Sequence, residues 1–209
     1  MRIVFLGDSI TDAGRNTENG SMVSIGQGYA LMVQGRLSVK YPGQHVFFNY
    51  GVSGNRSVDI YAQIKGRCWN NEPDVVSLLV GVNDVWHELE TKNGVDTKRF
   101  YTIYRMMVED TIERFPNVKF ILMEPFALDG EVSRRFGDAL GNGTKEKAAV
   151  VKQIAEEFRL PFVPIQKIMD YACEICPAEY WSPDGVHPSP AGHQLIADAW
   201  LDVFEKQIL

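Results

Sequence analysis

Ile3-Val4-Phe5-Leu6-Gly7-Asp8-Ser9 is the stretch that decides the fold. An apolar run of this length, bounded by glycine, reads as a buried strand. Ser9 follows it directly and therefore sits at the C-terminal end of the strand, the edge at which open α/β sheets bind their ligands. Gly7 would allow a sharp turn that lifts the serine out of the sheet, and Asp8 would tie that turn together through nearby backbone N–H groups. Working outward, further strand-sized runs lie at about 45–49, 74–80, 118–123 and 161–164. Helical patterns at about 28–40, 57–66, 97–115, 143–159 and 165–172 alternate with them. The last helix has Leu195, Ile196, Ala199, Trp200, Val203 and Phe204 on one face, with Ser189 as its N-cap and Pro190 at its first position. This β-α alternation predicts an α/β fold, a mostly parallel sheet with helices on both faces. The polar, glycine-containing stretches 12–27 and 126–142 read as loops over the sheet. Neither a linker nor an internal repeat divides the chain, so residues 1–209 are expected to form one domain.

Composition removes several classes of function. Of 209 residues, 45% are hydrophobic and 23% charged, which is ordinary globular usage and argues against disorder. The net charge of 21 − 27 = −6 lacks the clustered positive charge of a nucleic-acid footprint. Apolar runs such as 75–80 are far below the roughly 18 residues of a bilayer helix, so no membrane partner is expected. Only four apolar residues follow Met1-Arg2, too few for a secretory signal, and three cysteines make no closed disulfide framework. Both readings predict a cytoplasmic protein.

A serine nucleophile needs a base within hydrogen-bond reach and an acceptor that fixes the tautomer of the base. Among His45, His87, His187 and His193, only His187 has an acid three residues before it and a proline after it, in Asp184-Gly185-Val186-His187-Pro188. Proline keeps His187 out of the α region, so Asp184 is free to fold back onto Nδ1. His45, ahead of a strand, and His193, in the first turn of the last helix, read as structural. His87 reads as a loop residue near the site. A tetrahedral intermediate also needs donors for its oxyanion. Asn49-Tyr50-Gly51-Val52-Ser53-Gly54-Asn55 and Gly81-Val82-Asn83-Asp84 would bring glycine N–H groups and an amide to the edge that carries Ser9. The blander role for Asn83, beside glycine, is a turn-former. Each element is weak alone: a Gly-Asp-Ser triplet is expected by chance in roughly one chain in twenty, and Asp-x-x-His in about one in four.

Together the four segments, in this order and each behind its strand, resemble the ordered blocks of the SGNH (GDSL) hydrolases. Gly7-Asp8-Ser9-Ile10-Thr11-Asp12 with Gly14-Arg15, Ser53-Gly54-Asn55, Asn83-Asp84-Val85-Trp86, the segment 151–157 and His187-Pro188-Ser189 with Ala191-Gly192-His193 are more closely similar to the bacterial intracellular acetylxylan esterases of that family. The resemblance implies a three-layer α/β/α sandwich around a five-stranded parallel sheet. It implies Ser9 as nucleophile, His187 as general base and acid, and Asp184 as the orienting acid. Ser9 and Gly54 N–H groups with the Asn83 amide would form the oxyanion hole. It implies no metal and no cofactor, a small acetylated sugar or oligosaccharide as substrate, and a homo-oligomer.

Other residues weigh two ways. Trp86 and Trp181 would stack on a sugar or pack in the core. Arg15 and Arg56 would meet a polar substrate or tie loops to acidic neighbours, the structural role being favoured for both. Cys173 and Cys176 form a C-x-x-C that ends a helical pattern, with only Cys68 to complete a metal site, so redox and zinc roles are disfavoured. Two competing functions remain open. A lysophospholipase or acyl thioesterase would keep the catalytic residues but need an apolar lid, and a carbohydrate-binding protein would share only the fold.

Overall fold

The computed structural model describes residues 1–16 and 24–209. Strands β1 (Arg2–Gly7), β2 (Val46–Asn49), β3 (Val75–Leu79), β4 (Lys119–Met123) and β5 (Phe162–Val163) form one parallel sheet in the order β2-β1-β3-β4-β5. Helices α1 (Ser9–Asp12), α2 (Tyr29–Lys40), α3 (Ser57–Arg67), α4 (Val82–Thr91), α5 (Thr97–Arg114), α6 (Glu131–Arg135), α7 (Asp138–Phe158), α8 (Ile165–Cys173), α9 (Ala178–Trp181) and α10 (Pro190–Gln207) connect and follow them.

The period-2 alternation of the strands splits their side chains between two cores. Ile3, Phe5, Val75, Leu79, Ile121 and Met123 face α2, α8 and α10, while Val4, Leu6, Val76, Leu78, Phe120 and Leu122 face α3, α5 and α7. Because both faces are covered, the strands read as continuous apolar runs. Ser77 breaks that pattern inside β3 and is fully buried. The Trp200 indole N–H satisfies it by donating to Oγ at 3.0 Å, and the hydroxyl in turn reaches Met123 Sδ at 3.1 Å. Ser189 caps α10 as its sequence indicates, accepting from the Gly192 N–H, with Pro190 opening the helix.

The fold is thus the predicted α/β/α sandwich, and its strand order places the site. Neighbours β1 and β3 leave the sheet in opposite lateral directions, a topological switch that opens a crevice at their C-terminal ends. Ser9 lies just beyond β1 and Asn83 just beyond β3.

Three local expectations are corrected. The segment after β3 is a helix, α4, so His87 lies on a helix and not in a loop. The stretch 126–142 is not a plain loop, because it holds α6 and the first turn of α7. In the stretch 12–27, Asp12 belongs to α1, Ile25 is buried in the core, and residues 17–23 lie outside the described residues. Gly7 is also needed for a different reason than turning: an added Cβ would fall 2.2 Å from Thr11 Oγ1 and 2.6 Å from the Leu79 carbonyl. The turn is made by Asp8, the N-cap of α1, whose Oδ1 accepts from the Ile10 N–H at 3.0 Å.

Candidate active site

Ser9 opens α1 at the end of β1, and its Oγ lies 2.8 Å from Nε2 of His187, 178 residues away. On the other side of the ring, Nδ1 lies 2.6 Å from Oδ2 of Asp184. The second oxygen of Asp184 accepts from the backbone N–H groups of Val186, at 2.9 Å, and His187, at 2.7 Å. Burial alone would raise the Asp184 carboxyl, but these bonds from the ring and backbone outweigh it and hold the group at about 2. Asp184 is therefore ionised across the physiological range, which fixes the proton on Nδ1 and leaves the Nε2 lone pair to accept from the Ser9 hydroxyl. The same carboxylate raises the His187 imidazole above its ordinary value, against a smaller opposing effect of burial. Ser182 Oγ donates to the His187 carbonyl at 3.0 Å and holds the loop from behind.

A mesh of side chains sews the neighbouring loops onto the serine turn. Asn49, at the end of β2, donates to the carbonyls of Thr11 at 2.6 Å and Ile25 at 2.7 Å, and accepts from the Gly51 N–H at 2.9 Å. Asp12 accepts from the Ser53 N–H, and the Val52 N–H reaches the Gly7 carbonyl. This carries Gly54 to the site with φ at +82°, a conformation that favours glycine. Its N–H has no acceptor among the described residues. The Ser9 N–H, at the first helical position, has no intrahelical partner either. Asn83 donates one amide hydrogen to the Asn55 carbonyl at 3.2 Å, so its second is left for another acceptor. The Asn83 side chain is thus tied to the loop after β2 while its backbone opens α4, and the turn-former role is set aside.

Two buried carboxyls border this arrangement. Burial pushes Asp8 up to about 7, against the opposing Ile10 N–H and the nearby His187, and leaves its Oδ2 without a partner among the described residues. Burial likewise pushes Asp84 up to about 6, against bonds from the Ser57 hydroxyl and N–H. Through those bonds Asp84 clamps the start of α3 to α4. Asn49 and Ser57 act through partners distant in sequence, whereas Ser182 acts on a carbonyl five residues further on.

The remaining predicted residues divide. Trp86 stands one helical turn after Asn83 with its ring centroid 6.2 Å from that of His187, packed against the small buried cluster of Val82, Val85, Leu140 and Val186. Arg56 is directed elsewhere: its Nε and Nη2 bind Asp59 and its Nη1 binds Asn93, fastening the start of α3. Trp181 donates its indole N–H to the carbonyls of Ala172 and Cys176 and packs on the core under α10. Neither side chain is hydrogen-bonded to Ser9 or His187. His193 accepts from the Tyr29 N–H at 3.2 Å and is pushed down to about 4 by burial and then by the charge of His187, so it is a neutral structural histidine. His45 packs edge-on against Tyr41 and Phe204. The three cysteines are free thiols, and among the described residues no cluster of His, Cys, Asp and Glu is arranged to hold a metal ion. Nor is any described helix long and apolar enough to cross a membrane.

Comparison with known proteins gives the family. Residues 5–195 match the GDSL-like lipase/acylhydrolase family. An acetylxylan esterase of Geobacillus stearothermophilus is 34% identical over 205 residues, covering 96% of this chain and 92% of the relative. The crystal structure of Axe2, an acetylxylan esterase from the same organism, is 33% identical with a TM-score of 0.86, covering 97% of this chain and 93% of that one. A protein of Parabacteroides merdae described as a GDSL-like lipase superimposes with a TM-score of 0.92 at 35% identity, over 98% and 95% of the two chains.

Proposed function

Because this chain belongs to the GDSL-like lipase/acylhydrolase family, a family of esterases, we propose that it removes O-acetyl groups from small carbohydrates of the xylo-oligosaccharide type. The observation that carries the chemistry is the continuous relay Ser9 Oγ, His187 Nε2, His187 Nδ1, Asp184 Oδ2, with spacings of 2.8 and 2.6 Å. The substrate rests on the similarity to the acetylxylan esterase.

In this reading Ser9 Oγ attacks the ester carbonyl as its proton passes to Nε2. The imidazolium is stabilised by Asp184. The developing oxyanion accepts from the N–H groups of Ser9 and Gly54 and from the second amide hydrogen of Asn83. Collapse expels the sugar hydroxyl, which takes the proton from His187. Water then attacks the acetyl-serine with His187 as base, and acetate leaves.

An acyl-chain series tests the substrate assignment. Initial rates on peracetylated xylose and acetylated xylo-oligosaccharides are expected to exceed those on butanoyl, octanoyl and lysophospholipid esters. Equal rates on acetyl and octanoyl esters would move the substrate to lipids while leaving the catalytic residues in place. Absence of turnover on every ester would favour a carbohydrate-binding role. A separate expectation concerns the donor side chain: Asn83→Ala is expected to lower kcat by about 10²–10³-fold with little change in KM, because the lost hydrogen bond forms fully only in the transition state. Steady-state kinetics checks it, and a change confined to KM would remove Asn83 from the oxyanion hole.

A further inference from the structure

The donors assigned to the oxyanion come from three separate segments, and they act together only if their mutual positions hold to a fraction of an ångström. Ser9 and Gly54 share one set of ties: Asp12 accepts from the Ser53 N–H at 3.1 Å, and the Val52 N–H reaches the Gly7 carbonyl at 3.1 Å. Asn83 lies outside that set, in the first turn of α4, and has to be brought into register with it. The bond from its amide to the Asn55 carbonyl, at 3.2 Å, is at the long end of the hydrogen-bond range and does not by itself fix the orientation of the helix.

Asp84, the next residue, supplies the missing constraint. Its Oδ1 accepts from the Ser57 hydroxyl at 2.5 Å, and the Ser57 N–H is shared between Oδ1 and Oδ2, each at 3.1 Å. Ser57 opens α3 and stands three positions after Gly54. The backbone of Asp84 is held too, since its carbonyl accepts from the Val95 N–H at 2.9 Å. Arg56 also joins the two segments, but its partner Asn93 follows the end of α4 that is remote from Asn83. A carboxylate is a costly way to gain stability here. Asp84 is 1% exposed and Ser57 is fully buried, and taking a charge out of water can cost more than its bonds return. The ammonium of Lys147, also buried, eases that cost by its charge while donating to the Thr97 hydroxyl at 2.8 Å. What the carboxylate adds is stiffness, because two charged oxygens gripping one residue fix both distance and direction.

We propose that Asp84 is the positioning residue of the oxyanion hole: by gripping Ser57 it holds α4 in register with the loop after β2, and so aims the second amide hydrogen of Asn83 at the oxygen that the Ser9 and Gly54 N–H groups receive. This rests on the reading of Asn83 as an oxyanion donor. Asp84 acts through Asn83 and meets no reacting atom.

A double-mutant cycle on 4-nitrophenyl acetate tests it, an activated ester that reports acyl transfer whatever alcohol the enzyme prefers. Asp84→Asn keeps the shape of the side chain but loses its charge and one acceptor. It is expected to lower kcat by about 10–100-fold with KM within about twofold of wild type, as for a catalytic group slightly displaced. In an Asn83→Ala background the same change is expected to lower kcat by less than about threefold, because no amide remains to be aimed. Ser57→Ala, which deletes only the hydroxyl's bond, is expected to show the same dependence on Asn83 with a smaller loss, and it carries the comparison should Asp84→Asn fail to fold by circular dichroism. A loss in Asn83→Ala with none in the Asp84 and Ser57 variants, or an equal loss from them in both backgrounds, would overturn this proposal alone. Wild-type kcat in Asn83→Ala would overturn the oxyanion reading and the proposal with it.

Discussion

Ser9→Ala is expected to lower kcat on acetyl esters by on the order of 10⁵–10⁶-fold, while the protein stays folded. The size follows from what the hydroxyl does. Without Oγ no acetyl-enzyme forms, and hydrolysis must proceed by direct attack of water on an ester held only by the oxyanion donors. Those donors remain, since the Ser9 N–H and Gly54 N–H are backbone groups, so a residual rate above that in water is expected. Structurally the change is mild. The hydroxyl makes a single bond, to His187, in a part-buried position, and losing it costs about 1 kcal/mol at most. Gly7, Asp8 and Thr11, which shape the turn, are untouched. Rapid mixing with a chromogenic acetyl ester supplies the decisive measurement: wild type should show a burst equivalent to acyl-enzyme formation, and the variant none. Turnover within tenfold of wild type, with an unchanged circular dichroism spectrum, would remove Ser9 as nucleophile.

That Ser9 and His187 can be found in sequence at all has a physical basis. Both stand next to residues whose backbone requirements are strict: Ser9 follows a buried strand and a glycine that cannot bear a Cβ, and His187 precedes a proline. The three central strands are legible for a related reason, since a strand buried on both faces must be an apolar run, and the partly exposed edge strands β2 and β5 are marked by shorter apolar runs. Helix α4 is not, because Gly81 and Asn83 are turn-forming residues locally, and only the sheet behind them and the tie from Asn83 to Asn55 make the segment a helix start. The first turns of α7 are hidden in the same way. Gly141 and Gly143 weaken any local helical signal, yet the helix continues through them because Gly143 must lie flat against Val85, where a Cβ would come within 2.5 Å of a methyl group. Tertiary packing overrides propensity there. The clamp of Asp84 on Ser57 escapes sequence reading altogether, because nothing local to either residue signals a partner 27 positions away. Arg15 and Arg56 read alike, as loop ties. In the structure both make such ties, Arg15 through Nε to the Gly51 carbonyl and Arg56 to Asp59 and Asn93.

Asp184→Asn isolates the orienting role from the structural one. Asparagine can keep an oxygen in the place of Oδ1, where it still accepts from the N–H groups of Val186 and His187, so the loop should hold and Tm should change little. In place of Oδ2 it presents either a neutral oxygen or an amide nitrogen. The nitrogen is a donor facing Nδ1, and it favours the tautomer with the proton on Nε2, which cannot accept from Ser9. A loss in kcat of about 10⁴-fold is expected, the magnitude seen when the orienting acid of a Ser-His-Asp triad is changed in this way. The pH profile gives an independent check. In wild type the Asp184 carboxylate raises the His187 imidazole, and because the base must be neutral, kcat/KM falls as pH drops through that raised value. Asparagine removes the largest stabiliser of the imidazolium and leaves only the weaker influence of Asp8, so protonation requires a lower pH. The acid limb of the residual activity should therefore move to lower pH as its plateau falls. Asp184→Ala would lose the backbone bonds as well and should lower Tm, separating the two roles of the carboxylate. A loss under tenfold in Asp184→Asn, with the acid limb unmoved, would mean that His187 is oriented by its loop alone and that Asp184 serves only to close that loop.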